Sequence, residues 1–299
     1  MTIRFGVSPI AWINDDMPEL GGDTPLSKLL NDAADVGFHG VELGGAFPRD
    51  PRELAAVLGS RGLDLIGGWF STDLLVLSAE EQIAALQEHL ALLKAMGCTV
   101  FVAAECSNTI HNRREVPLSQ RPHLTEAEWA RFAATMTAVA DYVAAQGMRF
   151  AYHHHIGTVV ETQADLDTLL ALTGPNVGLT VDTGHAWYGG IDVARLLRGH
   201  PARIAHVHCK DVRANVMTQV RVRNTSFLDG VLAGMFTVPG DGAIDYGAVV
   251  EAMAEIGYTG WIVIEAEQDP ALADPRAFAQ IGFDHLTAAA RAARLAVAA

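Results

Sequence analysis

Eight short apolar runs, each followed by a stretch of helical periodicity, set the strongest limit on what this chain can fold into. The runs are Ile3–Val7, Gly40–Leu43, Leu63–Trp69, Thr99–Ala103, Met148–Tyr152, Val177–Val181, Ile204–His208 and Trp261–Ile264. They are continuous rather than alternating, the pattern of strands covered on both faces. Between them the sequence predicts helices over Pro25–Val36, entered through Asp23-Thr24, and Arg52–Leu58, closed by Gly59. A third covers Ala79–Met96, capped by Ser78 and stopped by Gly97, and a fourth opens on the capping box Thr125-Glu126-Ala127-Glu128 and runs to Gln146-Gly147. Gln163–Leu172, Val193–Leu197, Tyr246–Ile256 and Pro275–Val297 complete the set.

Eight βα units in succession predict an α/β fold, a single (β/α)8 TIM barrel with its active site at the C-terminal face of the strands. A doubly wound open sheet is the alternative, weakened because no Gly-x-Gly-x-x-Gly opens the first helix. No linker or second core divides the 299 residues, so 1–299 is expected to be one domain. Two strand-to-helix connections are long, Glu105 to Leu124 and Asp211 to Asp245, and long loops on that face commonly cover an active site.

Composition narrows the partners. Asp plus Glu number 35 against 21 Lys plus Arg, a formal charge of −14, which argues against nucleic acid or an anionic membrane as partner. No apolar run approaches the ~18 residues of a membrane span. The first residues lack the apolar core of a signal peptide. Three cysteines, Cys98, Cys106 and Cys209, without Cys-x-x-Cys spacing fit a reducing compartment, so a cytoplasmic location is expected.

The chemistry lies where polar residues meet strand ends. The second run ends in Glu42, the fourth in Glu105, and the fifth enters His153-His154-His155 and then Glu161. The sixth ends in Asp182-Thr183-Gly184-His185, the seventh in His206-Val207-His208-Cys209-Lys210-Asp211, the eighth in Glu265-Ala266-Glu267. Any one of these is more often a solvated end or a helix cap than a functional group. Six of eight converging on one mouth is a different matter, because carboxylates gathered at low dielectric repel unless a cation sits among them. Mixed carboxylate and imidazole donors suit Mn²⁺, Fe²⁺, Co²⁺ or Zn²⁺ rather than Ca²⁺.

These motifs resemble the xylose-isomerase-like sugar isomerase/epimerase superfamily of metal-dependent barrels. The opening Gly6-Val7-Ser8-Pro9-Ile10-Ala11-Trp12-Ile13-Asn14-Asp15-Asp16 and the segment Tyr152-His153-His154-His155-Ile156-Gly157-Thr158 are similar to its inosose dehydratase family, and the likeness covers essentially the whole chain. The resemblance implies a hydro-lyase of inositol catabolism acting on a cyclic polyol ketone, with a ketose epimerase or sugar isomerase as the alternative. It implies a divalent metal, Mn²⁺ or Co²⁺, and glutathione as a further cofactor for which these residues offer no site. The superfamily's ligands come from strands five to eight as Glu, Asp, His and Glu. Asp182, His208 and Glu265 match the last three. For strand five the expected ligand is Glu161, with His153 or His155 as the fallback.

The remaining expectations follow from position. His155 is the candidate base, with His153 as its substitute, since a neutral imidazole moves protons near neutral pH. Lys210 is expected to share the face of His208 and to stabilise an enolate or the leaving hydroxyl, unless Asp211 holds it in a structural pair. Glu42, His185, Glu267 and Trp12 are expected to contact substrate, although core filling explains a tryptophan equally well. His206 is as readily a structural histidine, and Cys209 a small buried hydrophobe. Arg113-Arg114 and Arg221-Val222-Arg223 are expected to be solvated, or else to meet an anionic group or a second copy in a homo-oligomer.

Overall fold

Strands that are apolar on both faces need cover on both, and the sheet supplies one cover by closing on itself. The computed structural model describes residues 2–298. Its barrel strands are β1 (Ile3–Val7), β2 (Gly40–Leu43), β3 (Asp64–Thr72), β4 (Val100–Glu105), β5 (Arg149–His153), β6 (Val177–Asp182), β7 (Ile204–Cys209) and, after two short strands β8 (Asp211–Val212) and β9 (Phe236–Thr237), β10 (Gly260–Ile264). The order β1-β10-β7-β6-β5-β4-β3-β2 closes as a parallel (β/α)8 barrel. Registers such as Val7 with Ile264 and Asp182 with His208 bring the polar strand ends level. Helices ring the outside, and one large apolar core, including Phe5, Phe101, Phe150, Tyr152 and Cys209, fills the space between helices and strands.

Four local expectations shift. The first helix begins at Leu26 with Pro25 as its uncapped boundary residue, rather than through Asp23-Thr24. The expected Ala79–Met96 helix is divided at Leu86 into Ala79–Ala85 and Gln87–Ala95, although Leu86 N–H still donates to Gln82 O and Leu90 N–H to Leu86 O. The last helix stops at Ala292, where the chain turns through a left-handed Arg294 and pairs Val297 with Ile3. The long connection after β7 is built rather than loose. It carries the helices Ala214–Arg223 and Phe227–Leu232, with β8 and β9 pairing antiparallel. A second apolar cluster that includes Met217, Val220, Phe227 and Phe236 roofs the barrel together with Leu118 and Ile156. Asp211 pins this roof by accepting from Val212 N (2.8 Å), Ile244 N (3.0 Å) and Gly240 N (3.1 Å). Among the described residues no helix is long and apolar enough to cross a membrane.

Candidate metal centre and its pocket

Asp182 closes β6 and at once caps the helix Thr183–Gly189. Its Oδ1 accepts from Gly184 N and His185 N, both at 2.9 Å. Its other oxygen, Oδ2, is fully buried and has no hydrogen-bond partner. Around it stand His153 Nε2 at 3.8 Å and His208 Nδ1 at 3.9 Å, and Glu265 Oε2 lies 2.7 Å from the same His208 nitrogen. One donor atom from each of His153, Asp182, His208 and Glu265 lies within 4.8 Å of the others. An orphaned buried carboxylate oxygen among two imidazoles and a second carboxylate is the donor set of a divalent transition-metal ion.

The orientation of His208 is held from behind. Its Nε2 lies 3.0 Å from Glu42 Oε1, which also receives His206 Nε2 at 3.0 Å. A carboxylate on one ring nitrogen turns the other toward a metal, the usual support of a ligating histidine. Burial acts to raise the Glu42 pKa, yet His208 and His206 bring it down to about 2. Burial alone would lower the His208 pKa, but Glu42 and Glu265 hold it well above the ordinary imidazole value. A proton on Nδ1 and a metal cation are thus alternative occupants of the same negative cradle.

Lys210 stands beside the cluster, completely buried. Its Nζ is 2.6 Å from Glu265 Oε1, 2.7 Å from Glu267 Oε2, 3.1 Å from His185 Nε2 and 3.8 Å from Asp182 Oδ2. Burial disfavours the ammonium, but Glu265, Glu267 and Asp182 outweigh it and keep Lys210 charged. Burial lifts Glu267 to about 7 against the pull of Lys210. The expected alternative for Lys210, an ion pair with Asp211, is not formed, because Asp211 is spent on backbone N–H groups of the roof.

A cavity of about 190 Å³ opens over these residues, lined among others by Glu42, Trp69, His111, His155, Glu265 and Glu267. His155 donates Nδ1–H to Ile156 O at 2.7 Å, which leaves Nε2 with its lone pair. Burial, with His111 and Lys210 nearby, keeps its pKa well below the ordinary value, so the ring is neutral.

Three expected site residues are placed elsewhere. Glu161 stays out of the cluster. The turn at Gly157, whose φ is +79°, lets its N–H reach back to Glu161 Oε2 at 2.7 Å, and Arg121 Nε holds Oε1 at 3.4 Å. His153, the fallback, occupies the strand-five position of the cluster. Trp12 is a core residue whose Nε1–H donates to Asp32 Oδ2 at 2.9 Å, because the 3-10 turn at Pro9–Ala11 takes the chain off strand alternation. His185 lies behind His155, ring against ring at 3.7 Å, rather than at the cavity surface. Trp69 is the tryptophan at the cavity, its ring edge-on to His153 at 5.2 Å and His155 at 5.9 Å. His111, which sequence reasoning passed over, is buried at the cavity wall. Its signal was the length of the connection from Glu105 to Leu124, which marked a covering loop without marking one residue in it.

Known proteins share this fold and much of this sequence. A family model described as xylose isomerase-like TIM barrel matches residues 30–289. A rhizopine catabolism protein, MocC, of Rhizobium meliloti is 43% identical over 98% of this chain and 90% of its own length. An inosose dehydratase of Geobacillus thermodenitrificans is 43% identical over 93% of this chain and 94% of its own. Among solved structures, an L-ribulose 3-epimerase superposes with a TM-score of 0.69 at 21% identity, covering 98% of this chain and 96% of that one, a likeness of fold.

Proposed function

The chain belongs to the xylose isomerase-like TIM barrel family, and from that premise we propose that it is a metal-dependent dehydratase of inositol catabolism. Its substrate in this reading is 2-keto-myo-inositol (scyllo-inosose), which loses water to give a trihydroxycyclohexane-dione. The observation that carries the reading is the cluster of His153, Asp182, His208 and Glu265 at the floor of a cavity, in a chain 43% identical to an inosose dehydratase.

Those four residues would hold the metal; two nitrogen and two oxygen donors suit Mn²⁺, Fe²⁺, Co²⁺ or Zn²⁺, and the resemblance to inosose dehydratases points to Mn²⁺ or Co²⁺ among them. When bound, it supplies Lewis-acid stabilisation of negative charge on a ketone oxygen. The protein's own groups do the rest. His155 Nε2, neutral and open to the cavity, takes the proton α to the ketone. Glu267, its pKa raised to about 7 and its carboxyl accepting from the Lys210 ammonium at 2.7 Å, gives its carboxyl proton to the departing hydroxyl, so that the C–O bond breaks with loss of water. Glu42 acts through His208 rather than on substrate directly. Free Cys98, Cys106 and Cys209 and the charge of −14 support a cytoplasmic enzyme that does not handle nucleic acid.

The test is incubation of the metal-loaded protein with scyllo-inosose, following the absorbance of the enolised dione. Rapid growth of that absorbance, abolished by chelation, is expected. A new sugar isomer without dione would move the protein to the epimerase alternative. The equal identity to a rhizopine catabolism protein favours a second reading, a role in breaking down rhizopines. The dehydratase reading is preferred because it names a reaction, and the cavity offers residues suited to its base, its acid and its metal ligands.

A further inference from the structure

The cavity holds one imidazole that the reaction as written leaves without a role. His111 comes from the connection after β4, is 5% exposed, and packs its ring on His155 at 4.7 Å, with Trp69 at 6.2 Å and Phe227 at 6.4 Å. Its Nδ1 lies 2.6 Å from Thr109 Oγ1, and that hydroxyl lies 3.1 Å from Gly157 O. Thr109 has one hydroxyl proton. Given to Gly157 O, it leaves the oxygen free to accept Nδ1–H of His111, and both bonds form. Given to Nδ1, it leaves the bond to Gly157 unmade. Gly157 O is met by Ile110 N–H in either case, but the first arrangement makes one hydrogen bond more, so Nδ1 carries the proton and Nε2 keeps its lone pair. Among the described residues no group donates to that Nε2, which opens on the cavity.

His155 reaches the same state by a separate bond, since a carbonyl oxygen can only accept its Nδ1–H. Two neighbouring imidazoles therefore present two acceptors and no donor. Neither can satisfy the other, and burial keeps His111 neutral, aided by Lys210 and opposed by Asp16. A ligand that fits must bring its own donors.

Building on the dehydratase reading, we infer that His111 Nε2 accepts a hydrogen bond from a substrate ring hydroxyl away from the reacting carbons, making His111 a specificity-determining residue for a polyhydroxylated ring. With His155 committed to proton abstraction, His111 is the neutral imidazole acceptor left to hold the ring, beside Asp15, Asp16 and Asn112 of the same cavity. A site built to bind a hydroxyl discriminates against an analogue lacking it, because its buried acceptor is then left bare.

The test combines spectroscopy with two variants. In the ligand-free protein, imidazole ¹⁵N shifts of His111 should report an Nδ1–H tautomer; an Nε2–H tautomer overturns the inference. His111→Phe keeps an aromatic ring without the acceptor, and should keep metal content and melting temperature while kcat/KM for scyllo-inosose falls about 10- to 100-fold. It should show no further loss with the deoxy-inosose that lacks the contacted hydroxyl, whereas wild type should. His111→Gln restores an acceptor and should recover part of the loss; it also serves if the phenylalanine variant does not fold. Wild-type kinetics in His111→Phe, or loss of metal from it, overturns the inference alone. A wild-type protein that forms no dione brings down the dehydratase reading and with it the hydroxyl assignment.

Discussion

The two oxygens of Asp182 do different jobs: Oδ1 caps a helix and Oδ2 faces the centre bare. A substitution at this position therefore acts on both. Asp182→Ala should cost about 1 kcal/mol as a lost cap and should also empty the site of metal. His153→Ala should lose metal without the cap penalty, and Glu161→Gln should retain it. Metal content of the three purified variants by mass spectrometry checks this, and a metal-loaded His153→Ala beside a metal-free Glu161→Gln would return the ligand role to Glu161. That Asp182, His208 and Glu265 would meet was legible, because each ends or directly follows an apolar run and barrel strands share one polar end. The strand-five position was not. Alternation puts His153 and His155 on one face, but nothing in the spacing says that the Gly157 turn folds Glu161 back onto its own backbone. Trp12 failed for a similar reason, since one 3-10 turn cancels the parity that strand reasoning relies on.

At the scale of elements, the loops after β4 and β5 are strapped together. Arg121 from the first loop reaches Glu161 at 3.4 Å and Asp165 at 3.1 Å, while Gly157 O receives both Ile110 N and the Thr109 hydroxyl. Arg121→Met leaves two largely buried carboxylates without their cation, a change that should cost about 3 kcal/mol. Urea denaturation should show that loss, and amide exchange at Thr109–His111 should quicken more than in the barrel strands. Unchanged exchange there would mean that the loops hold their shape independently. Helices were legible where caps are local, as at Thr125 and Glu128. They were less so where a distant partner decides, as at the last helix, whose alanine-rich tail bears no stop signal and ends in pairing with β1. The roof helices after β8 escaped notice because their apolar face is completed by Met17, Leu20, Leu118 and Ile156 from other loops, far away in sequence.

Over the whole molecule, the barrel keeps its packing in one region and its charge in another. The core between strands and helices is built mainly of apolar side chains, with a few buried polar groups such as Asp32, Gln82 and His154, whereas the C-terminal mouth gathers Asp182, Glu42, Glu265 and Glu267 against Lys210 and His208. Chelation should therefore lower the melting temperature by several degrees without unfolding the protein, since saturation at about 100 times Kd contributes about 2.7 kcal/mol and His208 can take a proton in the cation's place. Scanning calorimetry with and without chelator measures this; an unchanged melting temperature would argue against a tightly held ion. The same separation bears on the far end of the barrel. There Ile3 N–H donates to Ala296 O and Ala298 N–H to Ile3 O, each at 2.8 Å, and His39 Nε2 lies 3.2 Å from Ala298 O. The first strand and the final residues are thus clasped on the side that substrate never reaches. In topological terms the chain is nearly a ring. A short linker could join its two ends and fresh ends could be cut at an outer helix–strand turn, so that the gene order of the eight units is free to rotate while the mouth stays as it is.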